Sequence, residues 1–350
     1  MFGQLFIKEC RQTAKSLIYW LIVLVLVFDF ATQLGSMDIA KEPQKGQEDY
    51  GNKLSDDKNV IMETTLGLLV EEYVRESYTT YPIGFYKSVT LNEKKDRRVG
   101  EIVEETTGLS GREEAEKEVE DWYSSQQEAM EGTGPAMVKN LVMEPVEGLS
   151  YKTFKKLMGE VDDILGGGSD YAGSRLGANA VVPKTYEDAM EEYQELLEKD
   201  RLTGGYARLF SDYMVIFLGI LPVFLSVTRG LRDRRAGMQD LIYTRKGSSV
   251  SIITSRYLSM LVMLVIPVLL LSMIPLSQCL AYASAAGVSA DLSAFVKYTF
   301  GWLLPTIMAA TAVGMFLTEL TDTALAVLVQ GAWWFVSVFM GIDTLKGGMY

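Results

Sequence analysis

The chain has 350 residues, 48% of them hydrophobic and 22% charged, with a net charge of −12, and these averages conceal two different polymers. Residues 35–208 hold 36 acids and 21 bases, whereas the remainder holds 9 acids and 12 bases. The acidity therefore belongs to one segment, which excludes a nucleic-acid partner by repulsion, and the absence of histidine removes the commonest general base and transition-metal ligand. Neither cysteine, Cys10 or Cys279, falls in the acidic segment, so that segment must stand on its own core.

In residues 1–16, Phe2, Leu5, Phe6 and Cys10 recur at near-helical spacing opposite Lys8, Arg11 and Lys15, a pattern that predicts an amphipathic interfacial helix on the inner leaflet. Residues 17–34 are almost wholly apolar and give roughly 27 Å of helix, a first span of minimal length. A cleaved signal peptide is the competing reading, but the stretch around Ala31 lacks the small residue three places upstream that cleavage needs.

The insertion, 35–208, reads as mainly helical. A helix is expected over 57–77, and residues 81–85 open a short strand or a turn. Ser110 and Glu113 stand at capping-box spacing before one helix, as do Thr185 and Asp188 before another. Between them Tyr151, Phe154, Leu157, Val161 and Leu165 mark one helical face, which Gly166, Gly167 and Gly168 terminate. Asp162, Asp163 and Asp170 lack calcium-loop spacing and read as a solvated face.

Further apolar spans follow at 209–228, 257–281, 298–317 and 324–340, with Pro222, Pro267, Pro275 and Pro305 predicting kinks. Short-loop charge sets their direction: Lys8, Arg11 and Lys15 precede the first span, and seven bases lie in 229–256, so both stretches are expected in the cytoplasm. By alternation 35–208, the loop 282–297 and the tail 341–350 face outside, and 318–323 is an inner turn. The fold class expected is an all-α polytopic membrane protein, a helical transmembrane bundle with a mainly α-helical extracytoplasmic insertion domain. Asp29, Asp212 and Glu319 fall near span ends, Gln278 and Gln330 suit interhelical hydrogen bonds, and Trp20, Trp302, Trp333 and Trp334 suit interfaces or packing.

No GxxxxGK[ST] phosphate loop occurs, so any ATP must be handled by another chain. Segment 229–256 is richer than a retention loop requires, because Asp233 and Asp240 alternate with apolar Met238, Leu241 and Ile242 before Gly247, Ser248 and Ser249 break the pattern. Asp233, Arg234, Gly237, Asp240, Leu241, Ile242, Thr244, Gly247, Ser248, Ser249 and Arg256 together resemble the cytoplasmic segment between the second and third spans of ABC-2 type transporter permeases, the type V exporters.

The resemblance covers the first 34 residues and 209–350, and the insertion fits the subset with a large extracellular domain after the first span. It implies a permease subunit, an exporter in the plasma membrane, paired as a homodimer or with a second permease among membrane lipids. It implies a separate ABC ATPase that carries ATP and Mg, with no cofactor and no catalytic residue on this chain. The coupling interface it implies is a short helix with Asp233, Arg234, Arg235 and Asp240 at its rim, Gly237 within it, and Met238, Leu241 and Ile242 as apolar anchors. The family has six spans, so a sixth is expected beyond residue 350. A membrane-anchored sensor with a ligand-binding outer domain is the alternative.

Overall fold

The structure, a computed structural model, describes residues 2–35, 37–132, 140–237 and 248–342; for Ile83, Asp233, Arg234 and residues 127–132 and 339–342 it describes the backbone. The chain is mostly helical and divides into two compact units, one holding Met1–Gln44 and Met190–Val338, the other Lys45–Ala189. Each has its own apolar core.

The second unit is built around α3 (Lys58–Val74), whose N-cap is the Asp57 carboxylate accepting from the Asn59 N–H at 2.8 Å. Leu66, Leu69 and Val70 of α3 are wholly buried, and apolar residues around its whole circumference mark it as the central helix. Around it pack α4 (Glu93–Thr107), α5 (Arg112–Gly132) and α6 (Tyr151–Leu165). Each outer helix gives up one apolar stripe. That of α6 holds Phe154, Leu157, Met158, Val161 and Leu165, as its periodicity predicts.

Helix α4 is not foreshadowed by the apolar pattern, because its first turns are the charged run 93–98 and only Val99, Ile102, Val103 and Thr106 are buried. Its cap, Asn92 accepting from Lys95 N–H at 3.1 Å, was the available signal. Four short strands also escape a helix-only reading: β1 (Asn52–Leu54) pairs antiparallel with β4 (Val181–Pro183), and β2 (Tyr78–Thr80) with β3 (Lys87–Val89) across the 3-10 turn Pro82–Gly84.

The capping expectations divide. Before α7 (Tyr186–Glu198) the box is reciprocal, with Thr185 N–H donating to Asp188 Oδ2 at 2.9 Å and Asp188 N–H to Thr185 Oγ1 at 3.2 Å. Before α5 the expected partner is replaced: Ser110 N–H donates to Glu114, not Glu113, because the helix opens one residue later, with Gly111 carbonyl accepting from Ala115. Gly166, Gly167 and Gly168 all take positive φ and terminate α6. Asp162 is not merely solvated. It accepts from the Ser169 N–H at 2.8 Å and hydroxyl at 2.7 Å, folding the glycine run back on the helix.

In the first unit, α1 (Phe2–Ala14) meets α2 (Leu17–Gln33) at a 67° bend, and α8 (Thr203–Leu218) meets α9 (Leu221–Gly230) at 40°. One turn, α10 (Arg232–Arg235), precedes α11 (Ser249–Ala286), α12 (Ala294–Tyr298), a π turn Thr299–Leu303, α13 (Leu304–Thr321) and α14 (Leu325–Ile342). Ser249–Ala286 and Ala294–Thr321 are each long and apolar enough to cross a membrane, and counting each bent pair as one span gives as many as four. Exposed Leu17, Leu24, Phe28, Leu270, Phe316 and Leu328 spread an apolar surface over these helices that suits lipid rather than water.

Of the four span prolines, Pro222 stands at a break between helices. Helix α11 runs unbroken through Pro267 and Pro275, and Pro305 lies in the first turn of α13. At Pro222 the break is real, and α14 repairs it. Ile220 and Val223 N–H groups bond to Phe217 and Ile220 carbonyls, which diverts them from Ile216 and Gly219. Trp334 Nε1 donates to the Ile216 carbonyl at 2.6 Å and Gln330 Nε2 to the Gly219 carbonyl at 3.3 Å, so both orphaned acceptors are satisfied across the interface.

A methyl group added at Gly67 of α3 would lie 1.9 Å from the Leu141 carbonyl oxygen, whereas one at Gly159 of α6 meets nothing within 4 Å. Gly67→Ala is expected to destabilise the second unit by about 3 kcal/mol and Gly159→Ala to be neutral or to stabilise by about 0.5 kcal/mol. Pulse proteolysis in urea, applied to the intact chain, distinguishes the two.

Candidate functional site

The face that α1 turns toward the rest of its unit is the one that carries Phe2, Leu5 and Phe6, yet its most buried members are polar. Phe2 is exposed and Leu5 and Phe6 are half-buried, while the buried residues are Glu9 and Thr13. The reason is electrostatic. Glu9 Oε2 forms an ion pair with Arg229 Nη2, and Glu9 Oε1 stands 3.5 Å from Arg232 Nη2 and 3.8 Å from Arg256 Nε.

Three arginines thus converge on one carboxylate from the end of α9, from α10 and from the second turn of α11. Arg229 also donates through Nη2 to the Glu9 backbone carbonyl at 2.9 Å, and both Arg229 and Arg232 donate to Gln12 Oε1. Glu9 and Arg229 are 7% and 5% exposed, so this is a buried cluster rather than a surface pair. Buried charge persists only when paired and hydrogen-bonded, and the guanidinium groups supply both. Ser226, Arg229, Gly230, Arg256, Met260, Met315 and Glu319 line a small cavity beside the cluster.

These contacts locate the ends of 229–256. Arg229 belongs to α9 and Arg256 to α11, which begins at Ser249 rather than at the expected 257, so both ends of the segment are helical and held to α1. Of the expected interface residues, Asp233, Arg234 and Arg235 lie in the single turn α10, with Arg235 exposed. Gly237 takes a φ of +62°, which interrupts the continuous helix expected over 233–242. Met238, Asp240, Leu241 and Ile242 lie outside the described residues.

Glu9, the residue at the centre, is the one acid before Asp29. A lone acid in an otherwise basic helix was the signal available for it. Asp29, expected near water, is 7% exposed within α2. Gln330 meets the expectation of an interhelical bond through Gly219, whereas Gln278 Oε1 is buried with no hydrogen-bond partner among the described residues.

A separate polar cluster lies inside the second unit. Glu72 accepts from the Thr79 N–H at 2.8 Å and from the Tyr171 hydroxyl at 2.6 Å, and burial pushes its carboxyl above the ordinary range, with Asp170 adding repulsion. Burial raises the Tyr171 hydroxyl in turn, well above its usual value. At the unit's surface Asp188 is drawn down to about 2 by Lys53, whose Nζ is 2.5 Å away, and by the capping bond to Thr185. No group of three or more metal-ligating side chains occurs among the described residues. Comparison with protein-family models, with curated proteins and with solved structures yields no match.

Removing one partner of a buried ion cluster leaves the others uncompensated, so Glu9→Ala is expected to cost about 3 to 5 kcal/mol in the first unit. A Glu9→Ala/Arg229→Ala cycle read by thermal unfolding in detergent should return a coupling energy above about 1 kcal/mol.

Glu72 sets the pH response of the second unit. Its folded pKa lies above the unfolded one, so its contribution is fully present below the unfolded value and is lost as pH rises through the folded value. Urea midpoints measured from about pH 4 to about pH 8 should fall in the wild type, and Glu72→Gln should flatten that fall.

Proposed function

We propose that this chain is the membrane-spanning permease subunit of an ATP-driven exporter, coupled to a separate ATPase subunit on which ATP and Mg are bound. The observation that carries the reading is the convergence of Arg229, Arg232 and Arg256 on Glu9, which ties both ends of 229–256 to the N-terminal helix. A loop transmits force only when its two ends are held. Here a displacement of the segment moves α1, α9 and α11 together.

The motion has a place to be absorbed. Helix α9 is ten residues long, roughly 15 Å, and at its far end is the break whose carbonyls are held by Gln330 and Trp334 rather than by the α-helical ladder. Two side-chain bonds rearrange more readily than a continuous helix bends. An anchor that merely held a sensor domain would need neither the clasp nor the break, which favours transport over the alternative.

In this reading the chain works in the plasma membrane as a homodimer or with a second permease. The residues from α10 onward dock on the ATPase, with Asp233, Arg234, Arg235 and Asp240 at the rim, Gly237 between them, and Met238, Leu241 and Ile242 as anchors. Leu241→Ala with Arg235→Ala is expected to weaken co-purification with the ATPase more than tenfold, since such anchors are commonly worth about 1 to 3 kcal/mol each. Membrane insertion should survive. Undiminished recovery with unchanged ATP-dependent transport removes the docking role.

A further inference from the structure

The clasp leaves one side of α1 uncovered. Lys8, Arg11 and Lys15, three and four residues apart, lie opposite Glu9 and Thr13 and are exposed. They make no ion pair among the described residues. Gly3, Ile7 and Ala14 border this basic stripe and are exposed as well, Ile7 by 56%.

The 67° bend to α2 sets the helix's attitude. With α2 crossing a bilayer near its normal, a helix turned through that angle lies close to the bilayer plane, at the depth of the headgroups. Trp20, just past the bend and 56% exposed, donates Nε1–H to the Ala14 carbonyl at 2.8 Å and sits where interfacial tryptophans gather. Arg229, Arg232 and Arg256, which positive-inside reasoning assigns to the leaflet surface, are instead directed at Glu9. Among the described residues that precede α2, the charge left for headgroups is the stripe on α1.

We propose that the outer face of α1 binds anionic phospholipid headgroups, with Lys8, Arg11 and Lys15 on their phosphates and the Gly3, Ile7 and Ala14 edge among the first acyl carbons. Charge complementarity selects this occupant, because three unpaired cations along roughly 10 Å of helix meet an array of phosphates in an anionic leaflet. Each such cation strengthens binding about fivefold, so the three together act on the order of a hundredfold. The proposal rests on membrane insertion and not on the partner ATPase, so its failure leaves the transport reading intact.

The test uses the full chain in nanodiscs of phosphatidylcholine with and without phosphatidylglycerol. A nitroxide on Ile7→Cys, in a Cys10→Ser/Cys279→Ala background, should gain oxygen accessibility and lose aqueous-reagent accessibility when the anionic lipid is present. High salt and the variant Lys8→Gln/Arg11→Gln/Lys15→Gln should each abolish the gain. Native mass spectrometry of the chain with its cysteines intact gives a second readout, in which the triple variant retains at least tenfold less phosphatidylglycerol. A label that stays water-exposed in both bilayers, or equal lipid retention by wild type and triple variant, overturns the proposal and leaves a protein partner for the stripe.

Discussion

The cost of burying charge organises the first unit. A carboxylate taken out of water must be compensated on the spot, and Glu9 is compensated by arginines drawn from three separate helical elements. That requirement fixes where α1 lies against α11, how α9 and α11 approach each other at their charged ends, and which face of α1 is left exposed. An apolar contact has no comparable directional demand. Guanidinium forks that also reach the Glu9 carbonyl and Gln12 define one docking geometry, and sliding α1 by a turn would strand them.

The same accounting in backbone groups explains the joint between α8 and α9. Proline at 222 and the turn before it release the Ile216 and Gly219 carbonyls on the side that α14 covers, and in lipid no water replaces the lost donors. Trp334 and Gln330 of α14 supply them. The packing of α14 is therefore specified by two hydrogen bonds in surroundings where apolar side chains pack almost as well against lipid as against protein. Clasp and joint stand at opposite ends of α9.

In the second unit the constraint is ordinary hydrophobic burial around α3, with one polar exception. Glu72 is retained inside because the Tyr171 hydroxyl and the Thr79 N–H occupy its lone pairs, so the end of α3 is joined to β2 and to Tyr171, which follows the glycine run after α6. Close approach does the rest. Gly67 admits the Leu141 backbone where any side chain would collide, and Arg112 lies over the Tyr73 ring while bonding both oxygens of Asp96 at 2.8 and 2.7 Å.

The sequence by itself determined what local chemistry dictates. Apolar runs and their charged flanks mark helices long enough for a membrane, periodicity marks the buried stripe of α6, Thr185 and Asp188 mark the start of α7, and three glycines mark the end of α6. Each of these depends on residues within a few positions of one another. Segment 229–256 was legible as basic and interspersed with apolar residues for the same reason, though the departure of Gly237 from the right-handed region was not. Only the tertiary structure decided the rest. The clasp joins Glu9 to Arg229 across 220 positions, Gln330 reaches Gly219 across 111, and β1 meets β4 from the two ends of the second unit. In each case the individual residues look unremarkable in line, because a lone glutamate, an amide or a three-residue strand gains its meaning from the partner that folding brings to it.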